Sequence, residues 1–399
     1  AILLAKRQLE DILMFPLILL GRLIARMRPQ KREYDTFFFF PFYHIGGAEK
    51  VHANIAKASG GKNSIIYFTK KSANALFLKE FEASGCIIKN ISKYTDNKWL
   101  YFLNIIYRGI LSGYINQQKG STLVFNGQCN FGYKLSPWIN KKIPQVELIH
   151  SLCSFSYIRI PFLPFITRTV MISKVRIAEH LELYKRYDIP KHFGTRIKFI
   201  LNAIDLPSTP IIKEQPGNLV ALYVGRSTAE KRVHLIAGMS AIINKQQSRV
   251  GFQFLGDVKS EIPEDLHAYC HFYGNQSDPD TIDAIYRTAH ILLLVSDTEG
   301  FPMVIMEAMA RGLAIVSTAV GEIPLHIINT QNGFLIADYQ NTDGVVAECI
   351  AYIEQLDADR TLLQKMRADN IAYAFDHFGM PRFNAAYNEL FTKLRSGQN

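Results

Sequence analysis

The chain has 399 residues, 48% of them hydrophobic, with 45 Lys and Arg against 35 Asp and Glu. That length carries two domains with sizeable cores, and the composition excludes a large disordered or fibrous part. The net charge of +10 and isoelectric point near 9.2 invite nucleic acid, anionic lipid or phosphorylated ligands, but no nucleic-acid recognition motif is present and charge alone selects none of them.

Residues 1–32 stand apart. The apolar run from Ile12 to Leu20 is short and broken by Pro16, and Arg22, Arg26, Arg28, Lys31 and Arg32 follow it. No apolar stretch of the chain reaches the roughly 18 residues needed to cross a bilayer. A short apolar segment backed by basic residues suits lying in, rather than across, an anionic membrane surface. A signal peptide would carry its charges ahead of the apolar core. The alternative is a helix packed onto the protein itself. Since the chain begins with Ala1 rather than Met, a preceding segment is left open.

Residues 36–41 contain four successive phenylalanines, Phe37 to Phe40, and read as a strand buried on both faces. A helical pattern runs from Val51 to about Ser59. Between them, Gly46 and Gly47 let the backbone approach a ligand closely, or simply form a tight turn. Neither a dinucleotide Gly-x-Gly-x-x-Gly nor a P-loop is present. Residues 64–68, 122–126, 145–149 and 170–173 read as further strands with helical stretches between several of them, the rhythm of a doubly wound α/β domain. The aromatic stretch 99–111 suits an acceptor-lining or membrane-facing surface, although such stretches are more often core. His150 ends the strand at 145–149, a place where a lone histidine usually has a structural role.

Residues 206–217 are polar and contain Pro207, Pro210 and Pro216, as a linker would. A buried strand is expected at 218–224. Arg226 and Lys231 flank the loop after it, and an Arg fork with a Lys charge there would neutralise a diphosphate; solvated surface charges are the alternative. Residues 251–256 resemble another strand, and Tyr273-Gly274-Asn275 ends a further one. Asp278-Pro279-Asp280 fits the Asp-x-Asp of a different, metal-using fold, but an Asp before a Pro and a helical run is an N-cap with Pro at N1. No metal is expected.

The most informative stretch follows. Residues 291–295 read as a buried parallel strand, broken by Gly300 and Pro302, with Pro302 as first helical residue and Gly312 ending the helix before a strand at 313–317. The N–H groups of Met303, Val304 and Ile305 would face an anion at the helix start. Glu299 sits in the loop above the strand's carboxyl end. Glu307, one turn into the helix, lies on the side of Met303 and Val304 and suits a pair of sugar hydroxyls. The bland reading pairs Glu307 with Arg311 at i,i+4 and leaves Glu299 solvated. Residues 375–394 show a helical pattern with aromatics on one face.

Glu299-x7-Glu307, with Glu299-Gly300-Phe301, Glu307-Ala308-Met309-Ala310 and Gly312 around it, closely resembles the signature of the family-4 retaining glycosyltransferases. Gly225-Arg226-x4-Lys231 is a second match, with Arg232 where Gly often follows. Asn202-Ala203-Ile204-Asp205 resembles the family's hinge segment, with Ala203 in place of Gly. The resemblance implies an α/β GT-B fold of two Rossmann-like doubly wound domains facing across a cleft. After the apolar and basic membrane-associating segment at 1–32, which its own composition sets apart, the resemblance places an acceptor domain at 33–206, a nucleotide-sugar domain at 207–376 and a helix at 377–399 that crosses back.

Residue roles follow from the same resemblance. Glu307 holds the ribose hydroxyls. Arg226, Lys231, Gly300, Phe301, Met303 and Val304 bind around the diphosphate, and Gly274 and Asn275 lie near the base. Glu299 and His150 orient the donor sugar, and Gly46 and Gly47 face donor and acceptor. The expected donor is a nucleoside-diphosphate sugar, UDP-sugar favoured, with no other cofactor. The basic apolar N-terminus favours a lipid-linked or glycan acceptor in bacterial polysaccharide or lipopolysaccharide assembly. The loop bearing Phe155, Tyr157, Arg159, Phe162, Phe165 and Arg168 is a further candidate acceptor contact. Cys86, Cys129, Cys153, Cys270 and Cys349, scattered and odd in number, read as reduced thiols. A cytoplasmic protein bound peripherally to the inner membrane face is expected. An inactive relative that binds nucleotide or glycan is the alternative.

Overall fold

The phenylalanines Phe37 to Phe40 are all fully buried, and such a run is accommodated in a strand covered on both faces. A computed structural model, which describes residues 2–44, 46–208, 217–246 and 250–397, places them in β1 (Thr36–Phe40). The first sheet continues with β2 (Ser64–Phe68), β3 (Ile87–Asn90), β4 (Leu123–Asn126), β5 (Gln145–Ile149), β6 (Arg168–Met171) and β7 (Ile197–Phe199). All pairings are parallel, in the order β3-β2-β1-β4-β5-β6-β7.

The second sheet holds β8 (Val220–Val224), β9 (Gly251–Leu255), β10 (Cys270–Gly274), β11 (Ile291–Leu294), β12 (Ala314–Thr318) and β13 (Gly333–Ile336). It is parallel too, in the order β10-β9-β8-β11-β12-β13. Each sheet thus reverses its strand order once, between β1 and β4 and between β8 and β11. That is the doubly wound pattern in both.

The sheets belong to two compact units, one of Ala1–Leu201 with Phe383–Asn399 and one of Asn202–Arg382. The second unit therefore begins a few residues before the expected position 207 and extends beyond 376. The segment after β7, resembling a hinge, is fastened inside it: the Ile204 N–H donates to the Phe378 carbonyl at 2.9 Å, and Ile204 bridges Gly379. The helical run expected at 375–394 is interrupted there. One helix ends at His377, and the next, Met380–Arg395, enters the first unit from Phe383 onward. Its Phe391 packs 6.2 Å from Phe38 and 5.7 Å from Phe125 between ring centres.

The N-terminal segment forms one helix, Ile2–Met27, which runs through Pro16 instead of breaking there. Packing holds it. Ile18, Gly21 and Ala25 are its buried positions, and they lie along the helix Tyr101–Asn116. A Cβ on Gly21 would stand 2.2 Å from the Ile106 carbonyl oxygen, and one on Gly109 would stand 2.3 Å from that of Ile18. The opposite face is bare, with Ile12 and Leu13 each 70% exposed. No helix among the described residues is long and apolar enough to cross a membrane.

Candidate active site

Open α/β sheets bind ligands beyond the carboxyl ends of their strands, where the strand order reverses. In the second unit this selects the loops after β8 and β11. Lys231 from one and Glu299 from the other meet, Lys231 Nζ donating to Glu299 Oε1 at 2.5 Å with the side chains 18% and 9% exposed. Ser296 Oγ donates to the same oxygen at 2.8 Å. Ser296 is itself fixed to β12, its carbonyl accepting from Thr318 Oγ1 at 2.6 Å.

Tyr223, fully buried in β8, donates from its hydroxyl to the Arg226 carbonyl at 2.8 Å and braces that turn. Burial, then the carboxylates of Glu299 and Glu230, push its phenol above the ordinary range, while Arg226 opposes them. Arg226 itself is exposed. Behind the loop, Gly321 has φ +58°, and a Cβ there would lie 2.3 Å from the Glu299 carbonyl oxygen and 2.4 Å from that of Gly300. The next N–H, of Glu322, donates to the Gly300 carbonyl at 2.9 Å. Only glycine lets this backbone press against the Glu299 loop.

The helix Met303–Ala310 begins after Pro302, which is its N-cap and not the first helical residue. The Ile305 N–H, expected to face an anion, donates to the Pro302 carbonyl at 3.1 Å. Met303 and Val304 are then the first-turn amides that the helix start presents without an intrahelical acceptor. Arg311 Nη1 donates to the Glu307 carbonyl at 3.3 Å. Arg311 Nε donates to Asp283 Oδ1 at 2.8 Å, and Tyr286 Oη donates to Glu307 Oε2 at 3.0 Å.

Two side chains of this stretch turn into the core. Phe301 is 3% exposed, its ring stacked 4.1 Å from His326 and 5.6 Å from Phe378, so it anchors the loop in the core and cannot offer its face to a ligand. Met303 has a buried side chain too and offers only its backbone. Gly274, at φ +66°, accepts from the Gly256 N–H at 2.9 Å. A Cβ on Gly256 would come 1.9 Å from the Gly225 carbonyl oxygen, so close backbone contacts link the turns after β8, β9 and β10. Asn275 beside them is exposed. Asp278 caps the next helix, Oδ2 accepting from the Thr281 N–H at 2.9 Å with Pro279 behind it.

In the first unit, Gly46 caps and Gly47 opens the helix Gly47–Ser59, and a Cβ on Gly47 would meet nothing within 4 Å. His150, at the end of β5 and partly open to solvent, lies 3.2 Å from His52, Nε2 to Nε2. Burial lowers the His150 pKa to about 4, and burial followed by the charge of His150 lowers that of His52. Both rings are neutral at pH 7, so one nitrogen donates and the other accepts. In the loop beyond, Arg159 is fully buried in an ion pair with Glu147 at 3.2 Å and Phe162 is 5% exposed. Those two leave the candidate acceptor surface, while Tyr157 at 38% exposure stays on it.

Residues 209–374 match the family described as glycosyl transferases group 1. The second unit carries a glycosyl transferases group 1 domain. Over 90% of this chain and 100% of the other, the structure resembles Anabaena HepE in complex with UDP and glucose, with a TM-score of 0.71 and 18% identity. The fold is GT-B, as the sequence led us to expect. The Arabidopsis thaliana sulfoquinovosyl transferase SQD2 is 24% identical over 146 residues, 37% of this chain and 28% of that protein. The Salmonella typhimurium lipopolysaccharide 1,2-N-acetylglucosaminetransferase is 26% identical over 142 residues, 32% of this chain and 37% of that protein. The chain thus spans well under half the length of these curated relatives.

Sequence reasoning named the two acids and two cations of the group 1 domain but missed what holds them. Ser296, Tyr223, Tyr286 and Gly321 belong to no spacing pattern, and their partners lie from 3 to 22 residues away in the chain. Only Gly321, ahead of Ile323 and Pro324, carried a local turn signal.

Proposed function

We propose that the protein is a retaining, metal-independent glycosyltransferase that moves a hexosyl or N-acetylhexosaminyl group from a nucleoside-diphosphate sugar to an acceptor hydroxyl. The observation that carries this reading is the meeting of Lys231 and Glu299 across the switch point, next to the start of the helix that bears Glu307. Arg226, Lys231 and the amides of Met303 and Val304 bind the diphosphate. Glu307, oriented by Tyr286, accepts from the ribose hydroxyls, and Gly274 and Asn275 border the base. Gly300 gives the loop its close approach. Glu299 and, from the first unit, the neutral His150 orient the sugar, with Gly46 and Gly47 facing donor and acceptor.

Lys231 is paired with Glu299, so a diphosphate shares it with that carboxylate. That keeps the ammonium aimed at the site. Preorganised positive charge stabilises the departing diphosphate as the glycosidic C–O bond breaks and an oxocarbenium-like transition state forms. The acceptor oxygen bonds to the same carbon from the same face, and its proton passes to the leaving phosphate.

UDP is the favoured nucleotide, supported by the UDP held in the HepE structure. A lipid-linked acceptor in polysaccharide or lipopolysaccharide assembly is supported by the Salmonella relative and by the bare apolar face of the N-terminal helix. That face and the basic residues after it support peripheral attachment to the cytoplasmic membrane surface.

A thermal-shift panel with UDP, GDP, ADP, CDP and dTDP tests the donor site. UDP at about 100 times its dissociation constant should add roughly 2.7 kcal/mol to stability. Glu307→Ala, losing a charged hydrogen bond of about 1.5–3 kcal/mol, should weaken UDP at least tenfold and reduce sugar transfer with it. A wild type that responds to no nucleotide would sink the proposal.

A further inference from the structure

The first unit has a cavity of about 170 Å³ whose lining includes Lys70, Lys98, Arg108 and Lys134, with Asp96 as its one acidic residue. Its walls come from the segments after β2, β3 and β4, at the carboxyl edge of the sheet. The Asp96 carboxylate is turned to the backbone, accepting from the Lys71 N–H at 3.1 Å.

Arg108 is 2% exposed, and a guanidinium that deep is ordinarily matched by a carboxylate. Here its hydrogen bonds go to neutral atoms: Nη2 to Tyr101 Oη at 2.8 Å, Nε to Asn104 Oδ1 at 2.9 Å and Nη1 to Met14 Sδ at 3.4 Å. Lys134 Nζ donates to the same phenol oxygen at 3.1 Å. Both cations also lie over the Tyr101 ring, 5.5 and 5.7 Å from its centre. Burial raises the Tyr101 pKa, but the charge and hydrogen bond of Arg108, with those of Lys134, outweigh it and hold the phenol below its ordinary value. Asp11 on the N-terminal helix feels the charge of Arg108 but pairs with Arg7 at 3.8 Å, and burial leaves its carboxyl above the ordinary range. The cavity is a concentration of positive charge whose direct acceptors are neutral.

Its rim is apolar. Between Lys98 and Tyr101 stand Trp99 at 94% exposure and Leu100 at 40%, and Phe102 beyond is 48% exposed. Met14, which touches Arg108, sits on the helix that bares Ile12 and Leu13. A cationic pocket with an apolar apron suits an anionic head on a hydrophobic chain.

We propose that this pocket seats the phosphate or diphosphate of the acceptor lipid, with Trp99, Leu100 and Phe102 against the start of its chain. This rests on the reading of the acceptor as lipid-linked. Lys70, Lys98, Arg108 and Lys134 supply the charge, and Asn104 and Tyr101 hold Arg108 in place.

Co-sedimentation with vesicles of phosphatidylcholine carrying a long-chain alkyl diphosphate tests it, against vesicles matched in charge with phosphatidylglycerol. The full chain should bind the diphosphate vesicles at least tenfold more tightly, with a blue shift of Trp99 fluorescence in a Trp138→Phe background. Lys98→Ala with Lys134→Ala, both at the rim and compatible with folding, should erase that preference and leave the thermal shift with UDP intact. Equal binding to the two vesicle types, or a preference that survives the double variant, overturns the proposal. If inorganic pyrophosphate occupies the pocket as tightly as the lipid, read as the affinity lost in the double variant, the site serves a free phosphate and the lipid assignment fails. The donor reading fails separately, through absence of a UDP response in the wild type.

Discussion

Arg232 adopts the left-handed backbone, φ 49° and ψ 40°, at the point where a glycine often follows the lysine of this motif. A side chain there costs roughly 1 kcal/mol, and Arg232 offsets it by donating from Nε to the Val295 carbonyl and from Nη1 to the Tyr339 carbonyl, both at 2.7 Å. The loop that carries Lys231 is thereby tied to the segment after β11. The His52–His150 pair has a different consequence. The His150 pKa lies near 4 in the folded chain and near 6.5 in the unfolded one, so the unfolded state takes up a proton first as pH falls. Stability from this ring is complete above pH 6.5 and lost toward pH 4. Between pH 7.5 and pH 5 it should cost about 2 kcal/mol, and His150→Gln should flatten that part of the urea-stability profile. An unchanged acid slope in the variant would assign the loss to other groups.

Among the elements, those that carry their own pattern were readable from sequence. The strands expected from apolar runs, β1 and β11 among them, appear within two residues of their expected places. The short, half-exposed β3 and β7 carry only two apolar residues each, and β13 has a short apolar run that opens on Gly333; none of the three was expected. Within the site, the Glu-x7-Glu spacing and the Arg-x4-Lys loop are local and legible, whereas Tyr286 on Glu307 and Gly321 behind Glu299 depend on tertiary contact. Pro16 misled for the same reason: a helix that marginal propensity would break is held by Gly21 and Gly109 meeting across the interface. Gly109→Leu should force those helices apart, cost about 1–3 kcal/mol as overpacking does, and expose the N-terminal helix to protease. Unaltered melting and proteolysis would show that the contact contributes little. Deleting residues 1–32 would remove the same packing, so it does not isolate a membrane role.

Across the whole molecule, an excess of ten positive charges acts on any anionic surface, but the residues that would enter that surface are few and located. Arg22, expected within the basic cluster, turns inward to the Trp138 carbonyl at 2.7 Å. Arg26, Arg28, Lys31 and Arg32 remain exposed beyond the bare apolar face. Charge and insertion respond differently to salt, since screening shortens electrostatic attraction but leaves apolar burial intact. Arg26→Ser with Lys31→Ser removes two charges worth about 1 kcal/mol each near an anionic membrane. It should weaken vesicle binding roughly thirtyfold at 0.1 M salt and far less at 0.5 M. Ile12→Ser with Leu13→Ser should weaken it at both salt concentrations without lowering Tm, because these side chains are 70% exposed and support no core. Sedimentation that neither pair of substitutions changes would remove the N-terminal helix from any membrane role and leave its packing on the helix Tyr101–Asn116 as its function.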